Sequence, residues 1–308
     1  MQELLPILTS LAWPFAIAIA WIAGEFGQRW TGLPRISFYG VVGFAFAAPQ
    51  LGILPAPGSG SDGGAIPILA DVAFGLILFE LGYRINLRWL RTNPWIGISG
   101  LVESLATFIA VYLIAAAFGT PQLTALMLAS LSMATSPATV VRVINEQRSS
   151  GQVTERVLHL TAQNCVLAVF AFNVVVGFWI FRTFEDLGDA IWNSLVLLAV
   201  SLLAGAIFGL AVPALLRGLK NPQQDATVAF ALAVILLVAI SYAAGLSPVV
   251  STLAFGLVAR HRRVAYSQAQ RGFGALGELL TVLLFVFAAS TLDWQKVAAG
   301  SALAAVIV

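Results

Sequence analysis

The sequence predicts an all-α, polytopic membrane protein of about ten complete transmembrane helices followed by a partial eleventh. Three observations predict it. Of 308 residues, 59% are hydrophobic and only 10% are charged, against roughly 45–50% and about 25% in soluble domains. The apolar residues gather in windows close to the roughly 20 residues that a helix needs to cross a bilayer. Lys and Arg then fall almost wholly in every second junction between those windows.

Taken in order, the windows are 6–25, 36–54, 66–84, 94–118, 121–145, 153–181, 190–217, 225–243, 245–260 and 272–291. The eleventh, 295–308, is too short to cross completely. The first window lacks a basic leader and carries Pro14, so it reads as a span rather than a cleaved signal. Residues 56–64, rich in glycine and serine, form a flexible external linker by composition. Basic residues follow the odd-numbered spans: Arg29 and Arg35, then Arg84, Arg88 and Arg91, then Arg142, Arg148 and Arg156, then Arg217 and Lys220, then Arg260, Arg262, Arg263 and Arg271. Only Arg182 and Lys296 lie in the other junctions, so fourteen of the sixteen basic residues share one face. That face is predicted to be cytoplasmic, with the N-terminus outside.

Composition also excludes functions. A net charge of +2 with scattered basic residues is no footprint for nucleic acid. Cys165 is the single cysteine, and His159 and His261 are the only histidines. No metal-ligand spacing or nucleophile set follows from them, so no cofactor, resident metal or catalytic residue is expected and the chain does not read as an enzyme.

A charged side chain at bilayer depth costs at least about 2.5–3.5 kcal/mol, which makes each one a functional candidate. Four acids qualify: Asp71, Glu80, Glu103 and Glu278. Glu103 is the deepest. It reads equally as an ion-site acid or a structurally paired one, while Asp71, Glu80 and Glu278 lie nearer helix ends and fit snorkelling or pairing. The fifth span holds the densest polar run, Ser130-Leu131-Ser132-Met133-Ala134-Thr135-Ser136-Pro137-Ala138-Thr139. Pro137 has no N–H for the Met133 carbonyl, so the backbone must kink or unwind there. Broken helices expose ends and carbonyls that bind ions, although a proline kink also serves simple packing. In the sixth span, Gln163 and Asn164 put two adjacent amides at membrane depth, with His159 and Gln163 on one face. They serve either an ion site or interhelical hydrogen bonds.

The run Ala134-Thr135-Ser136-Pro137-Ala138-Thr139-Val140-Val141, followed by the Asn-containing pair in the next span, resembles the monovalent cation:proton antiporter superfamily, which includes the bacterial sodium/proton exchangers. Leu76-Ile77-Leu78-Phe79-Glu80-Leu81-Gly82, Gly245-Leu246-Ser247-Pro248 through Gly256-Leu257-Val258, and Leu284-Phe285-Val286-Phe287 are similar to the family's third, ninth and tenth spans. The resemblance implies a homodimer in the bacterial inner membrane that exchanges sodium or potassium for protons by an elevator motion. It implies one transmembrane transporter domain over 1–308, with a dimerisation bundle at 1–93 and 222–293, part of a core bundle at 94–181, a linker helix at 190–217 and a partial span at 295–308. Thr135, Ser136, Gln163, Asn164 and Cys165 become the ion-binding candidates, Pro137 the helix break, and Glu103 or Glu80 the proton carrier.

Two departures from the family's pattern matter. Its polar pair normally ends in an aspartate that trades a proton for the cation, and here Cys165 stands in that position. A thiol ordinarily titrates near about 8.5 and prefers soft metals to sodium or potassium. The chain also stops where further core spans are expected, as a C-terminally truncated member would. A second reading therefore stands beside exchange: a non-transporting relative acting as a membrane scaffold or sensor.

Overall fold

The computed structural model describes residues 4–55, 65–179, 187–217, 222–261 and 274–307. The linker at 56–64 and the basic residues Arg182, Lys220, Arg262, Arg263 and Arg271 lie outside the described residues. In chain order the helices are α1 (Leu4–Thr31), α2 (Arg35–Phe46), α3 (Ala65–Arg84), α4 (Leu87–Thr92), α5 (Trp95–Ala117), α6 (Gln122–Ser132), α7 (Pro137–Glu146), α8 (Gln152–Trp179), α9 (Leu187–Arg217), α10 (Pro222–Ala243), α11 (Pro248–His261), α12 (Gly274–Ser290), α13 (Trp294–Ala299) and α14 (Ser301–Ile307). Among the described residues there is no strand, which suits a bilayer, where a helix alone satisfies its own backbone. Among the described residues, six stretches are long and apolar enough to cross: Ala65–Arg84, Trp95–Ala117, Gln122–Glu146 taken across its break, Gln152–Trp179, Leu187–Arg217 and Ala226–Ala243.

Two stretches differ from the sequence windows. The window 36–54 is helical only to Phe46, after which Leu54 N–H reaches back to the Phe46 carbonyl through a turn with Gly52 at φ 64°. Apolarity could not separate a helix from an apolar turn. The last window divides at Gly300 into two short helices, glycine being a poor helix interior residue.

The described chain forms two compact units, Met1–Phe74 with Gly272–Ala304 and Gly75–Arg271 with Ala305–Val308. In the first, Gly43 lets α2 lie on α12, because a Cβ there would strike the Val286 backbone. Arg35 ties the ends together, with ion pairs to Glu25 at 3.1 Å and Glu278 at 3.4 Å. Glu278 is thus a paired helix-end acid, further contacted by Trp21 Nε1 at 3.4 Å.

In the second unit, α11 is wedged between α3 and α9. Lipid tails are as apolar as leucine, so association there depends on close approach at small residues. Gly82 on α3 faces the Leu253 carbonyl, Gly256 on α11 faces the Phe79 carbonyl, and Gly205 on α9 faces the Ser251 carbonyl, each too near for a Cβ. Phe79, Phe230 and Phe255 fill the space beside these crossings, with Phe79 and Phe255 centroids 4.7 Å apart. Through α9 and α11 this group packs against α8, which carries Asn164 and Cys165.

Candidate functional site

The fifth predicted span is two helices. α6 ends at Ser132, residues 133–136 leave helical hydrogen bonding, and α7 begins at Pro137. Pro137 takes the first helical position, where its missing N–H costs nothing. Ser136 is the N-cap, accepting from Thr139 N–H at 3.3 Å and lying 3.0 Å from the Thr139 hydroxyl. Its hydroxyl is spent on holding the new helix start.

Asn164 on α8 is the centre of the arrangement. It is 1% exposed, as is Ser104 on α5. Ser104 Oγ donates to Asn164 Oδ1 at 2.9 Å. Asn164 Nδ2 then donates to Thr135 Oγ1 in the break at 3.1 Å, and lies 3.4 and 3.5 Å from the two oxygens of Glu103. Next along the helix, Cys165 is buried and donates its Sγ–H to the Thr135 carbonyl at 3.4 Å. One amide therefore joins α5, α8 and the unwound segment, and every polar atom it owns is engaged. Glu103 lies at the exposed rim of this cluster, without an ion pair among the described residues.

The sequence candidates thus separate. Thr135, Asn164, Cys165 and Glu103 are brought together. Gln163 points elsewhere, donating from Nε2 to the Gly97 carbonyl at 2.8 Å, because successive helix residues turn by about 100°. Glu80 sits in another cluster. Its carboxylate, 2% exposed, pairs with Arg84 at 2.8 Å and accepts from Asn145 Nδ2 on α7 at 2.8 Å. Arg84 also reaches Asn145 Oδ1, and Arg260 holds the Tyr83 and Arg84 carbonyls. Ser104 was missed by sequence reasoning, since a lone serine in an apolar helix carries no pattern. Its one signal was adjacency to Glu103.

Chemically, the cluster offers one carboxylate, a hydroxyl whose proton remains available, and the end of a helix whose N-terminal dipole faces the break. Such oxygen donors suit a hard monovalent cation, and the carboxylate suits a proton. The family described as sodium/hydrogen exchanger, transmembrane, matches residues 15–308. The chain belongs to that family, which is one of antiporters rather than enzymes, and it is an integral membrane protein. Among solved structures, the sodium proton antiporter MjNhaP1 from Methanocaldococcus jannaschii shares its fold, with a TM-score of 0.68, 14% identity, and coverage of 95% of this chain and 72% of that one. No curated protein matches the chain significantly.

Proposed function

We propose that the chain exchanges a monovalent cation, sodium or potassium, for protons across the bilayer, with Thr135 and Glu103 as cation ligands around Asn164 and Glu103 as the proton carrier. The observation that carries this is the meeting of the one carboxylate at the cluster, the Asn164 amide and the broken helix in a chain that belongs to an exchanger family. Ionised, Glu103 binds the cation with the Thr135 oxygen. Protonated, it releases it. Glu80 is a poorer carrier, because its charge is already met by Arg84. Ser136 and Gln163 serve as cap and interhelical bond.

The wider reading follows the family. Ten complete crossings and a partial eleventh are arranged as a dimerisation bundle at 1–93 and 222–293, a core portion at 94–181 and a linker helix at 190–217. The core moves as an elevator within a homodimer of the bacterial inner membrane, with the N-terminus outside and the basic loops cytoplasmic. The test is proteoliposome exchange followed with a pH-sensitive dye. Glu103→Gln is expected to reduce cation-driven proton flux to background, and full flux from that variant would remove Glu103 from the role.

Cys165 favours a second reading, a non-transporting scaffold or sensor. It occupies the position of the family's ion-binding aspartate and spends its proton on the Thr135 carbonyl. If wild type shows no flux and Cys165→Asp does, the second reading holds. Flux from wild type sinks it.

A further inference from the structure

We infer that Ser104 is a positioning residue for the site, anchoring the Asn164 amide through its oxygen so that its N–H groups meet Thr135 and Glu103; this rests on the exchange reading above. A primary amide can present its oxygen or its nitrogen along either direction, and only its partners decide which. Here the Glu103 carboxylate, which only accepts when ionised, calls for Nδ2 on its side, where Nδ2 lies 3.4 Å from it and 3.1 Å from Thr135 Oγ1. That leaves Oδ1 on the far side, and there the Ser104 hydroxyl donates to it at 2.9 Å in a place with 1% exposure for both residues.

The assignment has consequences. Asn164 turns its oxygen to Ser104, away from Glu103 and Thr135, which leaves the cation to those two. Without the serine hydroxyl, Asn164 Oδ1 is a buried acceptor with no donor, a state that native structures avoid. A flip gives no relief, since it sets the amide oxygen against the Glu103 carboxylate and leaves both N–H groups unmet. The side chain loses its anchor instead, and its N–H contacts to Thr135 and Glu103 loosen with it. That loosening releases Thr135, whose carbonyl holds the Cys165 thiol.

A pair of variants of one shape separates the hydroxyl from volume: Ser104→Thr keeps it and Ser104→Val removes it. In proteoliposomes, Ser104→Val is expected to raise the apparent KM for the cation roughly threefold to twentyfold, the span of measured intramembrane hydrogen bonds, with maximum rate changed by under about twofold. Ser104→Thr restores the wild-type KM. A second readout needs no transport: Cys165 is the single cysteine, so its alkylation by a small maleimide in detergent micelles reports the release of Thr135 directly. Ser104→Val is expected to accelerate alkylation several-fold, while Ser104→Thr matches wild type. Equal behaviour of the Thr and Val variants in alkylation overturns the positioning role. Absence of wild-type flux overturns the exchange reading alone, since the alkylation comparison still decides what Ser104 does.

Discussion

Asn164 and Asn145 each hold a side-chain amide against a glutamate, and the two clusters differ in how the acid's charge is met. At Asn145 the glutamate is Glu80, buried and paired with Arg84, which also bonds the same amide. At Asn164 the glutamate is Glu103, at the exposed rim, contacted by an amide hydrogen and by no cation among the described residues. A buried acid with its own arginine spends its charge on that pair, and losing either partner strands the other. An acid met only by a neutral donor has no such partner to strand. The first cluster ties α3 to α7, and the second is where the proposed exchange would take place.

The largest effect that tests this contrast is Glu103→Gln, which should abolish exchange while leaving the detergent-solubilised protein as stable as wild type. Retained flux would erase the distinction between the clusters. Next is Arg84→Ala, which leaves Glu80 buried and unpaired. It should cost about 3–5 kcal/mol, read as a large drop in thermal unfolding temperature in detergent. Adding Glu80→Gln to Arg84→Ala should recover much of that loss, since no charge is then stranded; failure to recover would mean that Glu80 has a role beyond pairing. A smaller cost, about 1 kcal/mol, is expected for Ser136→Ala, the loss of an N-cap. Its measure is the same unfolding assay, with cation KM unchanged, and a changed KM would return Ser136 to the ion site. Smallest is Gln163→Leu, about 0.6 kcal/mol for one interhelical bond, again with unchanged exchange kinetics.

Residues such as Pro137 and Gln163 show what each level supplied. Pro137 could be read directly, because a residue without an N–H interrupts a helix wherever the helix lies, and the structure starts α7 there. The apolar windows could be read because lipid imposes length and composition on every span. Gln163 and Asn164 could not be told apart. They are chemically alike neighbours, and which one faces the break depends on how α8 is rotated against α5. Glu103 read evenly as an ion-site or a paired acid and Glu80 leaned towards pairing, and the approach of Arg84 and Asn145 showed what Glu80 pairs with. Ser104 carried no signal beyond its place next to Glu103.

The sequence by itself determined the membrane class, the family and the site of the helix break, because these follow from composition, motif order and the covalent nature of proline. Only the tertiary structure decided which polar groups meet, since hydrogen bonds between helices far apart in sequence depend on rotation and spacing. Between α3, α9 and α11 those are set by glycines and phenylalanines that belong to no site.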